Sequence, residues 1–360
     1  MSGFGGRRGR GTQGLNSRGM SRRGRGLRVA VVGATGVVGQ EFFRVLAQRA
    51  FPVADLKALA SERSAGGSVR WDGRSLPVEA LDERALAGVD LALFSAGADV
   101  SRTFAPLAVE AGALVVDNSS AWRMNDDVPL VVPEVNAEDI ARSEGIIANP
   151  NCSTIPLTIV LDALRREAGL ERVLVATYQS ASGAGRDLVL ELEEQIRAVA
   201  AGRRPEASVY PYVLAHNVVP GGWPPARDGY NEEEMKIVNE TRKILHAPRL
   251  RVGATCVRVP VPVAHSEAVL VETERALEPE AARELLGRTP GVVVLDGPGP
   301  DDYPTPAAVA GTDEVYVGRI RRDLSSDRGL LMWIVSDNLR KGAALNAVQV
   351  AERAVEMGVL

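Results

Sequence analysis

The chain has 360 residues, 45% of them hydrophobic and 24% charged, with a formal net charge of −4. That composition excludes fibrous and repetitive classes and leaves room for two buried cores. With no apolar run near the ~20 residues of a membrane span and no secretory-type apolar segment, a cytoplasmic protein without membrane contact is expected. Two cysteines, Cys152 and Cys256, are too few for a disulfide framework, and no Cys/His cluster has metal-ligand spacing, so no metal is expected.

The first 28 residues hold eight of the 42 basic groups and no acid, leaving 34 basic against 46 acidic groups in the rest. Residues 1–26 read as a disordered Arg/Gly-rich arm, too poor in apolar side chains to offset ordering entropy. Such an arm can neutralise phosphates or be a dispensable extension. The acidic body argues against a dedicated nucleic-acid binder.

LRVAVVG at 27–33 is a short buried-strand pattern, and ATGVVGQEFFRVLAQR continues with helical spacing through Val38, Phe42 and Leu46. Strand, glycine turn and helix are the order of a dinucleotide site. Gly33, Gly36 and Gly39 permit a tight turn and close approach of a pyrophosphate, although the spacing GxxGxxG is not the usual GxGxxG and would also suit plain turn glycines. Strand candidates at 55–61, 89–97, 113–120 and 145–151 alternate with helical segments. The fold class expected is therefore α/β, with a Rossmann-type doubly wound parallel sheet. After the second strand, Glu62 suits the ribose diol of NAD, whereas Arg63 with Ser64 suits the 2′-phosphate of NADP; NADP is the favoured choice.

NPNCSTIPL at 149–157 then places Cys152 in a polar turn at the mouth of a helix whose stripe is Leu157, Val160, Leu161 and Leu164. Helix-end amides favour a thiolate, so a depressed pKa and a nucleophile are expected, with a small core residue as the plain alternative. Arg258, in an otherwise apolar strand, is either an edge-strand surface residue or a carboxylate clamp. Glu233 and Lys236 lie three apart on one face of a helix packed through Met235, Val238 and Leu245, where solvated salt-bridge decoration would be ordinary. Seven residues separate Arg258 from His265, which would aim them at opposite faces of an unbroken strand, but Pro260 and Pro262 should break it. The segment from 330 to 355 again reads strand, polar turn, helix.

GATGVVG, DNSSAWRM, NPNCSTIPL, YQSASGAG, EEEMKIVNETRKI, CVRVPVPVAH and SDNLRKGAALNAVQ occur in this order. Together they closely resemble the aspartate-semialdehyde dehydrogenase family over nearly everything after residue 27. The resemblance implies reduction of L-aspartyl 4-phosphate by NADPH through a cysteine thioester, on the route to lysine, threonine, methionine and isoleucine. It implies Cys152 as nucleophile, His265 as acid/base and Gln179 on the carbonyl. Arg258 would take the substrate carboxylate, Glu233 its ammonium, and Lys236 and Arg123 its phosphate, helped by Asn151. Gly33, Thr35, Gly36, Val37, Val38, Gly39, Arg63, Ser64, Ser182, Gly183 and Asn338 would hold the cofactor. It further implies a discontinuous arrangement, with 27–150 and 336–360 as the NADP-binding domain. Residues 151–335 would form an α+β catalytic and dimerisation domain, giving a homodimer or a dimer of dimers. An N-acetyl-glutamyl-phosphate reductase uses similar chemistry, but its substrate has no free ammonium for Glu233. A catalytically silent NADP-binding regulator is the rival of another class.

Overall fold

Seven strands build the first sheet in a computed structural model that describes residues 26–360. They are β1 (Leu27–Val32), β2 (Val53–Ala60), β3 (Ser68–Trp71), β4 (Arg74–Ala80), β5 (Leu91–Phe94), β6 (Leu114–Asp117) and β7 (Ile146–Ala148), in the spatial order β3-β4-β2-β1-β5-β6-β7. All neighbours run parallel except the β3–β4 hairpin. The chain leaves β1 toward both sides, so a crevice opens at its carboxyl end. Successive β1 residues feed opposite faces: Val29 and Val31 pack with Phe42, Leu46, Val348 and Ala351, while Ala30 and Val32 pack with Phe94, Ala105 and Ala108. The expected strands occur, β2 two residues earlier at its start and one residue longer, the others shorter. The β3–β4 hairpin was not anticipated; its turn residues Asp72 and Gly73 both have positive φ, 45° and 75°. The expected Arg/Gly arm falls, apart from Gly26, outside the described residues.

The second sheet comprises β8 (Arg172–Gln179), β9 (Arg251–Arg258), β10 (His265–Glu272), β11 (Val292–Val294), β12 (Val315–Arg322) and β13 (Gly329–Ser336), ordered β11-β12-β13-β10-β8-β9. One face packs on the helices Thr154–Ala168 and Glu232–Ile244 through Val173, Val175, Val269 and Val271. The other presents partly exposed Leu174 and Tyr178, and the Tyr178 and Trp333 rings lie 5.2 Å apart. The helix Thr154–Ala168 is buried almost all round at its amino-terminal half, not along a single stripe, because it lies between the end of the first sheet and the second.

After β13 the chain returns to the first sheet, and the helix Leu345–Glu356 joins its core. Fully buried Lys341 is held by Glu134 at 2.7 and 2.8 Å, by Asn346 at 3.1 Å and by Gln349 at 2.6 Å, so its ammonium keeps the partners that a buried charge requires.

Among the described residues, Glu267 has no such partners. It sits on the inward face of β10 opposite Thr177; both its carboxyl oxygens and the Thr177 hydroxyl are buried without a hydrogen bond. Burial pushes its pKa well above the usual carboxylate value. The folded state therefore holds a proton that the unfolded state has lost, and stability falls as pH rises from about 4.5 toward the raised value. In urea titrations across pH 5–8, Glu267→Gln should flatten that decline, by up to ~1.4 kcal/mol per pH unit. Identical slopes in the two proteins would show that Glu267 is ionised or solvated.

Candidate active site

Each residue of Asn149–Pro150–Asn151–Cys152 follows from the end of β7 at the sheet edge. Asn149 is fully buried. Its amide donates to Asn118 Oδ1 at 2.8 Å and Ala343 O at 3.2 Å, and its oxygen accepts from Asn346 at 2.7 Å, so it rivets the turn to the returning chain. Asn151 donates its backbone N–H to Glu240 at 2.6 Å and its side-chain amide to Glu233 at 2.8 Å. Gly342 backs the thiol: a Cβ there would lie 3.0 Å from Cys152 O and 3.2 Å from Cys152 Cβ.

The expected low thiol pKa is not found. Burial, then the Glu233 carboxylate, pushes Cys152 up to about 12, against the pull of Arg123, Arg258 and Lys236. Part of the helix-end advantage is already used, since Asn151 Oδ1 accepts from the Ser153 N–H at 2.9 Å. The free protein thus carries a protonated thiol at neutral pH.

β8 and β9 pair so that Gln179 stands beside Arg258, and β10 begins at His265 on the other side of β8. Arg258 ends one strand and His265 starts another, so their spacing of seven does not separate them. Both occupy the same end of the sheet with Gln179, all three at most 3% exposed. The small residue at 183 keeps this end open: a Cβ on Gly183 would lie 2.9 Å from Arg258 Nη1 and 3.0 Å from His265 Nε2. The Ser180 backbone N–H donates to His265 Nδ1 at 3.0 Å, which fixes Nδ1 as an acceptor and puts the proton of the neutral ring on Nε2. Nε2 is buried without a hydrogen-bond partner among the described residues. Burial, then Arg258, lowers the ring's pKa to about 3.

Glu233 joins the parts. Its Oε1 accepts from Asn151 and, at 3.3 Å, from Gln179; its Oε2 accepts from Lys236 at 3.0 Å. Burial alone would raise this carboxyl, but Lys236 and Asn151 outweigh it and hold the pKa below the usual value. Arg123 is buried between Glu240 at 3.1 Å and Asn118 O at 2.8 Å.

A cleft of about 640 Å³ brings together Val38, Arg123, Asn151, Cys152, Ser182, Gly183, Glu233, Lys236, Arg258 and Asn338. Gln179 and His265 lie behind its wall. Gly33, Thr35, Gly36, Val37 and Gly39 form the glycine turn at the end of β1, and Arg63 and Ser64 form a short turn after β2. Gly33 has φ of 85°, and a Cβ on Gly39 would lie 2.2 Å from Gly33 O, so the turn closes only on glycine. Gly36 caps the helix Val37–Gln48 with no side chain on its amides, which leaves them for an anion. Asn338 Oδ1 accepts from Ser180, Ser182 and the Ala264 N–H at 3.1, 3.1 and 2.9 Å, and its amide hydrogens make no hydrogen bond among the described residues. These features fit a nicotinamide dinucleotide.

Sequence reasoning missed Glu240, Tyr210, Trp223, Asn149 and Gly342. Glu240 had a legible signal, since it lies seven residues after Glu233 on the same helical face. His216 and His246 take no part; His246 meets Asp139 at 3.1 Å elsewhere.

The semialdehyde dehydrogenase NAD binding domain matches residues 28–143, and the semialdehyde dehydrogenase dimerisation domain matches residues 161–341. The aspartate-semialdehyde dehydrogenase of Aquifex aeolicus is 50% identical over 93% of this chain and 100% of its own length. That of Bacillus subtilis is 48% identical over 91% and 97%. The crystal structure of aspartate semialdehyde dehydrogenase II from Vibrio cholerae matches with a TM-score of 0.89 and 44% identity over 92% of this chain and 99% of its own, and was also determined complexed with ASA. The Candida albicans enzyme, solved with NADP, matches with a TM-score of 0.71 and 25% identity over 93% of this chain and 100% of its own. With its fold and cleft, the chain belongs to the aspartate-semialdehyde dehydrogenase family.

Proposed function

We propose that this protein reduces L-aspartyl 4-phosphate to L-aspartate 4-semialdehyde and phosphate with NADPH, through a thioester on Cys152, in lysine, threonine, methionine and isoleucine biosynthesis. The observation that carries this reading is the charge pattern around one thiol. Arg258 suits the substrate carboxylate, Glu233 its ammonium, and Lys236 with Arg123 its phosphate. An acetylated substrate would leave Glu233 without its cation. Because Lys236 already pairs with Glu233, substrate exchanges that pair for two of its own.

Sulfur attack on the acyl carbon forms the C–S bond as the C–O bond to phosphate breaks, and phosphate leaves with the electron pair and takes up the proton that the thiol gives up. Arg123 and Lys236 meet that charge, and Asn151 supports them. The glycine turn with Thr35, Val37 and Val38 would hold the pyrophosphate, Ser182, Gly183 and Asn338 the nicotinamide end, and Arg63 with Ser64 the 2′-phosphate. A nicotinamide bound there supplies hydride to the thioester. His265, neutral with its proton on Nε2, suits donation to the carbonyl oxygen as charge develops there; it accepts a proton at that nitrogen only after releasing its own. Gln179 helps hold the same carbonyl.

Residues 27–150 with 336–360 would serve as the nucleotide-binding unit and 151–335 as the catalytic unit, pairing in a homodimer through the outward face of the second sheet. The assembly would be cytoplasmic, with no membrane or nucleic-acid partner.

Phosphate-dependent oxidation of aspartate semialdehyde should proceed with NADP in preference to NAD, and Cys152→Ala should lower kcat at least ~10³-fold. Preference for N-acetylglutamate semialdehyde, or activity surviving in Cys152→Ala, would overturn the assignment. In the free protein, alkylation of Cys152 by iodoacetamide, mapped by mass spectrometry, should rise through pH 7–10 without a plateau. Glu233→Gln removes a charge that disfavours the thiolate and should move this profile to lower pH. A wild-type plateau below pH 8 would contradict the raised thiol pKa.

A further inference from the structure

Arg258 is 3% exposed, yet among the described residues no carboxylate lies within 4.0 Å of it. Nη1 donates to Ser180 O at 2.8 Å, and Nε is enclosed without a hydrogen-bond partner. A buried guanidinium in this state is costly unless something replaces the missing anion. Two aromatic faces do so. The guanidinium carbon lies 4.8 Å from the centroid of the Trp223 ring and 5.8 Å from that of Tyr210, both within cation–π range.

Both rings come from the stretch between the helices Arg186–Ala200 and Glu232–Ile244, which contains neither helix nor strand. That stretch is anchored on the same arginine: Val219 and Arg258 exchange backbone hydrogen bonds of 2.9 and 2.8 Å. Tyr210 donates its hydroxyl to Gly221 O, and Gly222, with φ of 86°, packs on the ring so closely that a Cβ would lie 2.2 Å from the hydroxyl. The two rings are thereby fixed to one another as well as to the cation, and both line the cleft that holds Cys152.

We propose that Trp223 and Tyr210 are positioning residues that stand in place of a counter-carboxylate, holding the Arg258 guanidinium in place while leaving it free to take a substrate carboxylate. A protein carboxylate in their position would compete with substrate, whereas the Trp223 face attracts the cation without occupying its N–H groups and the Tyr210 hydroxyl also lies within reach of the guanidinium. The inference rests on the assignment of Arg258 to the substrate carboxylate.

Steady-state kinetics on Trp223→Leu, Trp223→Phe and Arg258→Ala separate the two. Trp223→Leu should raise KM for aspartate semialdehyde about 5- to 30-fold, leaving kcat and the KM values for phosphate and NADP within about threefold, and Trp223→Phe should restore most of the loss. If Arg258→Ala leaves KM for the semialdehyde unchanged, the carboxylate assignment falls and this inference with it. If Arg258→Ala raises it while Trp223→Leu does not, or if Trp223→Leu raises all three KM values together, the positioning role alone is overturned. Should Trp223→Leu not fold, tryptophan fluorescence decides in the Cys152→Ala background. Aspartate semialdehyde should change the emission more with Trp223 present than in Trp223→Phe, where only Trp71, Trp122 and Trp333 report; equal responses in the two proteins would overturn the proposal.

Discussion

The buried carboxylate of Glu233 is the constraint on which the site depends. An ionised carboxyl this deep persists only with its oxygens satisfied, and the donors come from three separate elements: Asn151 from the turn after β7, Gln179 from the end of β8, and Lys236 from its own helix. Satisfying that one group fixes the thiol turn, the second sheet and the helix relative to each other. It also sets the chemistry of the resting protein, because the same charge helps keep Cys152 protonated.

A second device ties the cleft to the first sheet. The chain returns from β13 to the first sheet through Asn338, whose oxygen is pinned by three donors, and through Gly342, whose lack of a side chain lets it lie against Cys152. Lys341 and Asn346 then lock this return to Glu134 and Asn149. The proposed cofactor contacts and the proposed nucleophile are thus carried by one packed junction, although nearly two hundred residues separate Asn149 from Asn338 in the chain.

Much of this was legible beforehand. Alternating apolar runs and helical segments, the glycine turn after LRVAVVG and the cysteine at a helix mouth are local signals, and local signals survive folding. Non-local ones do not. That Arg258 and His265 meet beside Gln179 depends on which strands neighbour β8, and the spacing through two prolines carries no such information. Tyr210 and Trp223 lie in a stretch without periodicity, so nothing marks them as partners of Arg258. The thiol was misjudged for a related reason: the helix mouth is visible in the sequence, whereas the burial and the Glu233 carboxylate that dominate it come from tertiary packing.

The central claim is that the sulfur of Cys152 becomes acylated during turnover. Acid quench during turnover with ¹⁴C-labelled aspartate semialdehyde and NADP at low phosphate, followed by peptide mapping, tests it directly. The account predicts label on the peptide containing Cys152, discharged by added phosphate. Label on another side chain, or none at Cys152 while turnover continues, would contradict it.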